Sequence, residues 1–175
     1  MKSFFKGLLI AAAISGLSSP GWAQSSATQS TTGTGTILQP LTLTKNTDLA
    51  FGSIVRPSSG TNTVAVNETT AARTLTGGGN AALVTSTTSR ATYTVDGEGG
   101  SAYSITVPAN FNMTRVSGAE TLTVTLASTA TSGTLSGAAG AAGSGTFGVG
   151  GSFPLSSTTV TGNYTGTFNV TVTYN

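Results

Sequence analysis

The side chains that carry most enzyme chemistry are scarce in this chain. The sequence has no histidine and no cysteine, and it has only seven basic and five acidic residues. The most common zinc ligands and the usual base that activates a serine are therefore missing. The sequence predicts a protein that is not an enzyme and that holds no metal and no cofactor.

The closest acidic pair is Asp96 and Glu98. Two nearby carboxylates could share acid–base work or bind calcium weakly. These two lie in Asp96-Gly97-Glu98-Gly99-Gly100, a composition typical of a turn. We expect a glycine-rich turn with both acids in solvent.

Two other patterns resemble binding sites only superficially. Gly143–Gly148 matches a dinucleotide fingerprint by its letters, but that fingerprint needs a strand before it and a helix after it. Here glycine and alanine precede the match and strand-like residues follow it. The tyrosines could stack on sugars, but their alternating positions favour core packing: Tyr93, Tyr103, Tyr164 and Tyr174.

The first residues have the three-part layout of a secretory signal peptide. Lys2 and Lys6 precede an apolar run over residues 7–14, and residues 20–23 (Pro-Gly-Trp-Ala) supply a cleavage site. The run is shorter than the ~20 residues of a spanning helix, so a membrane anchor is the less favoured interpretation. We expect export after removal of residues 1–23, with Gln24 as the mature N-terminus and a destination in the periplasm, on the outer surface or in an extracellular fibre.

Loss of the leader makes the chain neutral. Two of the seven basic residues leave with it, so five basic residues face five acidic ones. Because they are scattered singly, no nucleic-acid footprint forms. A charge-poor surface lacks self-repulsion and suits packing against other subunits, although Thr, Ser and Asn could simply keep the protein soluble.

Composition and period-two patterning predict an all-β domain. Thr and Val recur, and both suit a pleated surface. We expect residues 24–35 to form a flexible N-terminal extension. Residues 36–175 should form an immunoglobulin-like β-sandwich of about seven to nine strands with an edge that could be incomplete, or alternatively a small barrel. Packing and strand pairing must stabilise it, since no disulfide can.

Individual segments allow sharper expectations. Pro40 places the strand over residues 36–44 at a sheet edge or at a bend. Residues 91–95 and 103–107 alternate around a glycine-rich turn and predict a β-hairpin. Residues 133–145 are rich in Gly, Ala and Ser, which predicts an exposed loop.

The final segment, residues 162–175, alternates without a break. Such a strand buries one face and exposes the other to solvent, or it pairs with a partner along a free edge. The residues that share the apolar face are Tyr164, Phe168, Val170, Val172 and Tyr174.

The opening and closing motifs resemble the DUF4402 family. The opening runs Ile-Leu-Gln-Pro-Leu-Thr-Leu-Thr-Lys (37–45) and Asp-Leu-Ala-Phe-Gly-Ser-Ile-Val (48–55). The ending runs Phe-Gly-Val-Gly-Gly (147–151) and Gly-Asn-Tyr-Thr-Gly-Thr-Phe-Asn-Val-Thr-Val-Thr-Tyr (162–174). This family carries no assigned activity to transfer.

The layout is also similar to the spore coat protein U domain of archaic chaperone–usher pilins. That similarity implies a sandwich that lacks one strand, filled first by a periplasmic chaperone and later by the N-terminal extension of the next subunit, after passage through an outer-membrane usher. The five apolar-face residues would then border the groove, the Asn175 carboxylate would anchor the chaperone, and residues 24–35 would be the donor.

The proposed donor segment lacks the expected side chains. Residues 24–35 offer only Ala27 among small polar residues, and the cysteine pair usual in the spore coat domain is absent. Three alternatives stay open: the donor begins nearer Ile37, the groove is shallow, or the domain is complete by itself. A complete domain would instead be a secreted or surface module that binds a glycan or a protein.

Overall fold

The computed structural model describes residues 25–175. The predicted signal peptide (1–23) and the predicted mature N-terminus, Gln24, lie outside the described residues. Residues 25–35 have no regular secondary structure and their side chains are exposed. Residues Thr36–Asn175 form a compact unit of their own. Within 25–175, no helix has the length and apolar character needed to cross a membrane.

The compact unit is an all-β sandwich, as the composition predicted. It has thirteen strands, more than the seven to nine expected, because four of them are ladders of only two or three residues. In chain order the strands are β1 (Thr42–Thr47), β2 (Ile54–Val55), β3 (Thr61–Val66), β4 (Arg73–Gly77), β5 (Ala82–Leu83), β6 (Ala91–Glu98), β7 (Ala102–Thr106), β8 (Asn110–Arg115), β9 (Thr121–Ser128), β10 (Ser132–Thr134), β11 (Ala142–Ser156), β12 (Tyr164–Thr165) and β13 (Thr171–Tyr174).

A large antiparallel sheet forms one layer, with the order β1-β6-β11-β9-β8-β12. Its central strand, β11, pairs with β6 over residues 142–149 and with β3 over residues 151–156, and β4 extends the sheet from β3. The other layer contains the three-stranded sheet β10-β7-β13 and the short ladder β2-β5. The proline-containing entry leads into β1, which starts at Thr42 and is an edge strand, as predicted.

Two clusters of buried side chains fill the space between the layers. The first lies between β6 and β11 on one side and the three-stranded sheet on the other: Ala91, Tyr93, Val95, Tyr103, Ile105, Leu135, Phe147 and Val149. The second lies under the segment before β2: Phe51, Val64, Val66, Val124, Phe153 and Leu155. Stacking of Tyr93 on Phe147, with centroids 5.1 Å apart, and an edge contact of Phe51 with Phe153 at 4.9 Å add specific geometry to this burial.

The predicted β-hairpin around the glycine-rich turn is wrong. Strands β6 and β7 follow each other along the chain, but β6 pairs with β1 and β11, whereas β7 pairs with β10 and β13. Residues 99–101 therefore form a corner between the two layers. Tyr93 and Tyr103 point into the same core from opposite layers, a pattern that period two alone cannot distinguish from pairing.

The predicted exposed loop over residues 133–145 is also only partly right. Ser132–Thr134 forms β10, Leu135 is 2% exposed in the first cluster, and β11 begins at Ala142. The glycines have a packing reason: a Cβ at Gly133 or Gly145 would meet the Tyr103 hydroxyl at 2.6 or 2.5 Å. Only residues 136–141 remain as a loop.

The final segment is not one continuous strand. Tyr164–Thr165 (β12) pairs with β8 in the large sheet, whereas Thr171–Tyr174 (β13) pairs with β7 in the small sheet. The segment thus crosses from one layer to the other through residues 166–170. The predicted alternation is nevertheless confirmed, because the five apolar-face residues are half-buried and the residues between them are exposed.

Candidate functional site

A groove with two lobes and a mixed polar and apolar lining opens on the surface of the compact unit. The larger lobe has a volume of about 600 Å³ and the smaller one about 280 Å³. Leu49, Met113 and Tyr164 line both lobes, so we treat them as one groove. The larger lobe lies beside the second core cluster, since Phe51, Phe153 and Leu155 belong to both.

Two irregular segments form two walls of the larger lobe. Residues 49–54 make one wall and residues 159–164 make the other. Between them, Met113 and Leu122 are half-buried, while Phe153 and Leu155 are buried. The lobe therefore combines an apolar floor with backbone on both sides.

Arg73 holds the first wall in place. Its Nη1 donates to the carbonyls of Phe51 (2.8 Å) and Ser53 (3.0 Å), and its Nη2 donates to the carbonyl of Val84 (2.6 Å). Ala50 and Ser89 exchange two backbone hydrogen bonds of 2.8 and 3.0 Å at the start of this wall. The wall is thus tied to its neighbours on the side away from the groove.

An ion pair supports the strand behind the second wall. Arg115, which pairs with Tyr164 in the β8–β12 ladder, donates from Nε to Glu120 at 2.7 Å. This hydrogen bond holds the pKa of the Glu120 carboxyl below its ordinary value and raises the pKa of Arg115. On the wall itself, the Tyr164 hydroxyl donates to the Val160 carbonyl at 2.7 Å.

Aromatic packing shapes the smaller lobe. Phe168 packs against Phe111 with ring centroids 5.0 Å apart. Gly166 is required beside them, because a Cβ there would lie 2.3 Å from the Asn112 carbonyl oxygen. An exposed ion pair of Lys45 and Asp48 also lines this lobe, and the Asp48 carboxylate raises the pKa of Lys45 through their hydrogen bond.

Two strands, β1 and β13, each have one edge without a partner within the described chain. β1 pairs only with β6, and β13 pairs only with β7. Unpaired edges present backbone N–H and C=O groups that can template another strand. Phe168, Val170 and Val172, on or before β13, stay half-buried against the first cluster.

A hydrogen-bond cluster centred on Tyr174 joins the chain ends at the corner between β6 and β7. The Tyr174 hydroxyl donates to the Gln39 carbonyl (2.9 Å) and accepts from the Glu98 backbone N–H (2.7 Å). The Glu98 carboxylate accepts from the N–H groups of Gln39 (3.3 Å) and Gly140. Glu98 is only 5% exposed, so its predicted place in solvent is wrong, whereas Asp96 is exposed as predicted.

The structure brings only part of the predicted site set together. Tyr164 and Phe168 line the groove. Val170 and Val172 pack beside the first core cluster, and Tyr174 belongs to the hydrogen-bond cluster. These three residues do not line either lobe.

The two remaining predicted residues lie outside the groove. The Asn175 backbone N–H donates to the Ala102 carbonyl at 3.2 Å, and its side chain accepts from the Ser104 hydroxyl. Ile37 is 96% exposed. Neither residue lines the groove.

Sequence reasoning missed most of the apolar groove lining: Leu49, Ile54, Phe111, Met113 and Leu122. Each lies in a strand-like pattern that also fits an ordinary core. The available signal was the density of apolar residues over 49–54, which fits a short buried strand equally well.

Few charged side chains line the groove. Its charged lining residues are Arg56 in the larger lobe and Lys45 and Asp48 in the smaller one. Arg56 already donates to the Thr159 carbonyl at 2.9 Å. Across residues 25–175, no group of three or more acidic, histidine or cysteine side chains is placed to hold a metal ion.

Comparison with known proteins shows the family of the chain. The sequence profile of the family described as "Domain of unknown function (DUF4402)" matches residues 41–174, so the chain belongs to this family. No curated protein and no solved structure matches the chain.

Proposed function

We propose that this DUF4402 protein is a structural, non-catalytic component of the cell envelope, namely a fimbrial or pilus-like surface-fibre subunit assembled by β-strand complementation. The groove with its apolar floor, open between residues 49–54 and 159–164, carries the proposal. An added strand would cover its half-buried floor and bring new backbone partners, as in other cases of strand addition to a sheet.

The strand edges support the same proposal. The half-buried Val172 and Tyr174 lie on β13, a strand of four residues that is paired on one side only. An edge left open in this way is an aggregation hazard unless another chain covers it. In a subunit that polymerises, pairing between such edges would build the fibre.

The similarity of the first and last motifs to the spore coat protein U domain supports specific partners. They are further copies of this chain, a periplasmic chaperone that covers the groove before assembly, and an outer-membrane usher. Export by the leader, followed by a place in the periplasm, on the outer surface or in an extracellular fibre, completes the proposal.

Peptide binding tests the groove directly. The full chain, expressed with its own leader, is mixed with a synthetic peptide of residues 24–44 and with a scrambled control. Selective binding stabilises the folded chain by mass action and therefore raises its unfolding temperature. At a peptide concentration of 100 times Kd, the added stability is about 2.7 kcal/mol. A transition that is unchanged by the native peptide at millimolar concentration would contradict strand complementation.

A second candidate function is a self-contained surface domain that binds a glycan or a protein. The volume of the larger lobe favours it, since about 600 Å³ is within the range of ligand pockets, roughly 300–1,000 Å³. Tyr164 would supply an aromatic face for a sugar. This function predicts a stable monomer that binds a ligand saturably without a change in mass.

A further inference from the structure

We propose that the hydrogen-bond cluster of Tyr174 and Glu98 is a latch that opens and closes as one unit and couples the two ends of the described chain. The closed latch holds residues 39–41, the loop over residues 136–141 and the end of β13 on the corner between β6 and β7. Opening releases all three together while the rest of the sandwich stays folded. The latch is independent of the proposed function, because all of its contacts lie inside one molecule.

A single residue ties the chain before β1 to the domain by hydrogen bonds. Within residues 25–41, Gln39 makes both of the hydrogen bonds to the rest of the described domain. Its N–H donates to the Glu98 carboxylate at 3.3 Å, and its carbonyl accepts from the Tyr174 hydroxyl at 2.9 Å. Loss of these two bonds leaves the packing of Leu41 against the first core cluster to hold this segment.

The loop over residues 136–141 is tied to the same corner. The Gly140 N–H donates to the Glu98 carboxylate, and the Ala141 carbonyl accepts from the Gly99 N–H at 2.8 Å. Glu98 is only 5% exposed, so its carboxylate depends on backbone donors in place of water. When one donor leaves, water must enter to replace it, and the other donor loses its buried surroundings. The two segments therefore open together.

Side chains of the same three segments meet over Gly97. A Cβ at this position would lie 3.0 Å from Leu135 Cδ1 and 3.1 Å from Leu41 Cδ1, and it would clash with the Tyr174 hydroxyl. Leu41 belongs to the chain before β1, Leu135 precedes the loop, and Tyr174 ends β13. Because the three side chains share the space that glycine leaves free, displacement of one removes packing from the other two.

The two ends of the described chain are thereby coupled. A partner that draws residues 39–41 away from the corner leaves the Tyr174 hydroxyl without its acceptor and loosens the end of β13. A partner that displaces β13 releases residues 39–41, and linkage makes the two effects equal in free energy. β13 has four residues and pairs only with β7 within the described chain, which suits it to open before the central strands. Release lengthens the exposed N-terminal segment by residues 39–41, about 10 Å when extended.

Amide hydrogen exchange in the native chain is the first test, read residue by residue by NMR on the full chain expressed with its own leader. The amides of Gln39, Glu98 and Gly140 should share one opening free energy, so their protection factors should agree within about threefold. They should also be at least about tenfold less protected than the Leu126 amide of β9, which donates to the Ala109 carbonyl at 2.9 Å. Equal protection of all four amides would overturn the latch, because the cluster would then open only with the whole domain.

Tyr174→Phe tests the coupling. The substitution removes the acceptor of the Glu98 amide and leaves the Gly140 amide with its own acceptor, the Glu98 carboxylate. We expect exchange at Gly140 to become faster by about thirtyfold or more all the same, because two hydrogen bonds of the shared unit are lost. Tyr164→Phe is the matched control and should change it by no more than about twofold, because its hydroxyl donates to the exposed Val160 carbonyl. Acceleration at the Glu98 amide alone would overturn the inference, because the segments would then open separately.

Glu98→Gln perturbs the latch from the other side and keeps it testable if Tyr174→Phe does not fold. Glutamine has nearly the same size, but one of its terminal groups is an NH2 donor, so the N–H of Gln39 or of Gly140 loses its acceptor. The Tyr174 hydroxyl is untouched, yet exchange at the residue-98 amide should become faster by about tenfold or more. An unchanged rate at this amide would contradict the latch.

Discussion

Replacing Tyr174 by phenylalanine should destabilise the domain far more than the same replacement at an exposed tyrosine would. The Tyr174 hydroxyl makes two hydrogen bonds, with the Gln39 carbonyl at 2.9 Å and the Glu98 N–H at 2.7 Å. The first bond contributes about 1 kcal/mol net, and an unsatisfied N–H at buried Glu98 costs about 1–3 kcal/mol. We therefore expect the free energy of unfolding to fall by about 2–4 kcal/mol.

Urea unfolding at neutral pH measures this loss. With a slope of about 2 kcal/mol per molar urea, the midpoint of Tyr174→Phe should fall by about 1–2 M. Tyr164→Phe is the matched control, because its hydroxyl donates only to the exposed Val160 carbonyl, and its loss should stay within about 0.5 kcal/mol. Equal midpoints for the two variants would refute the argument that the Tyr174 cluster fixes the chain end.

Other substitutions test further parts of the structure. Gly97→Ala places a Cβ 2.2 Å from the half-buried Tyr174 hydroxyl and should lower the free energy of unfolding in urea by about 1–3 kcal/mol. Gly78→Ala places a Cβ with nothing within 4 Å and should lower it by less than about 0.5 kcal/mol. Arg73→Ala should lower stability by about 2–4 kcal/mol and weaken binding of the 24–44 peptide, because two wall carbonyls, those of Phe51 and Ser53, and the Val84 carbonyl lose a charged donor; unchanged binding would contradict its role in the groove. Because the pKa of Glu120 is lower in the folded chain than its ordinary value of 4.5, its ion pair stabilises the fold. This contribution is fully present above pH 4.5 and is lost as the pH falls through the lower pKa of the folded chain. Between pH 6 and pH 2, the urea midpoint of unfolding should therefore decline more for the native chain than for Glu120→Gln. Parallel plots of midpoint against pH would show that the ion pair with Arg115 contributes nothing to stability.

The local part of the fold could be predicted from the sequence. The alternation from Tyr164 through Tyr174 sets which side chains turn inward, and burial confirms this pattern. The pairing of the strands could not be predicted, because side chains alternate with the same two-residue period in a hairpin and at a corner between layers. Strands β6 and β7 show this limit most clearly.

Glycine-rich chain misled the sequence interpretation for a physical reason. Glycine over residues 133–145 allows close approach of the Tyr103 ring, so a composition typical of an exposed loop forms part of the sandwich. Glu98 is a related case. Its carboxylate lies under the loop that contains Gly140, and its backbone donors come from residues distant in sequence.

The candidate site was predictable in part. The sequence placed Tyr164 and Phe168 on the apolar face of the last segment, and both line the groove. Met113 and Leu122 could not be assigned, because a groove floor and a core carry the same residue types. Only the three-dimensional gap between the two walls distinguishes them.

The solution mass of the full chain, expressed with its own leader and purified from a periplasm without a partner chaperone, tests the central claim most directly. Light scattering after size exclusion should show head-to-tail polymers, or an unstable species that the 24–44 peptide rescues. A stable, folded monomer that is indifferent to this peptide would contradict assembly by strand complementation.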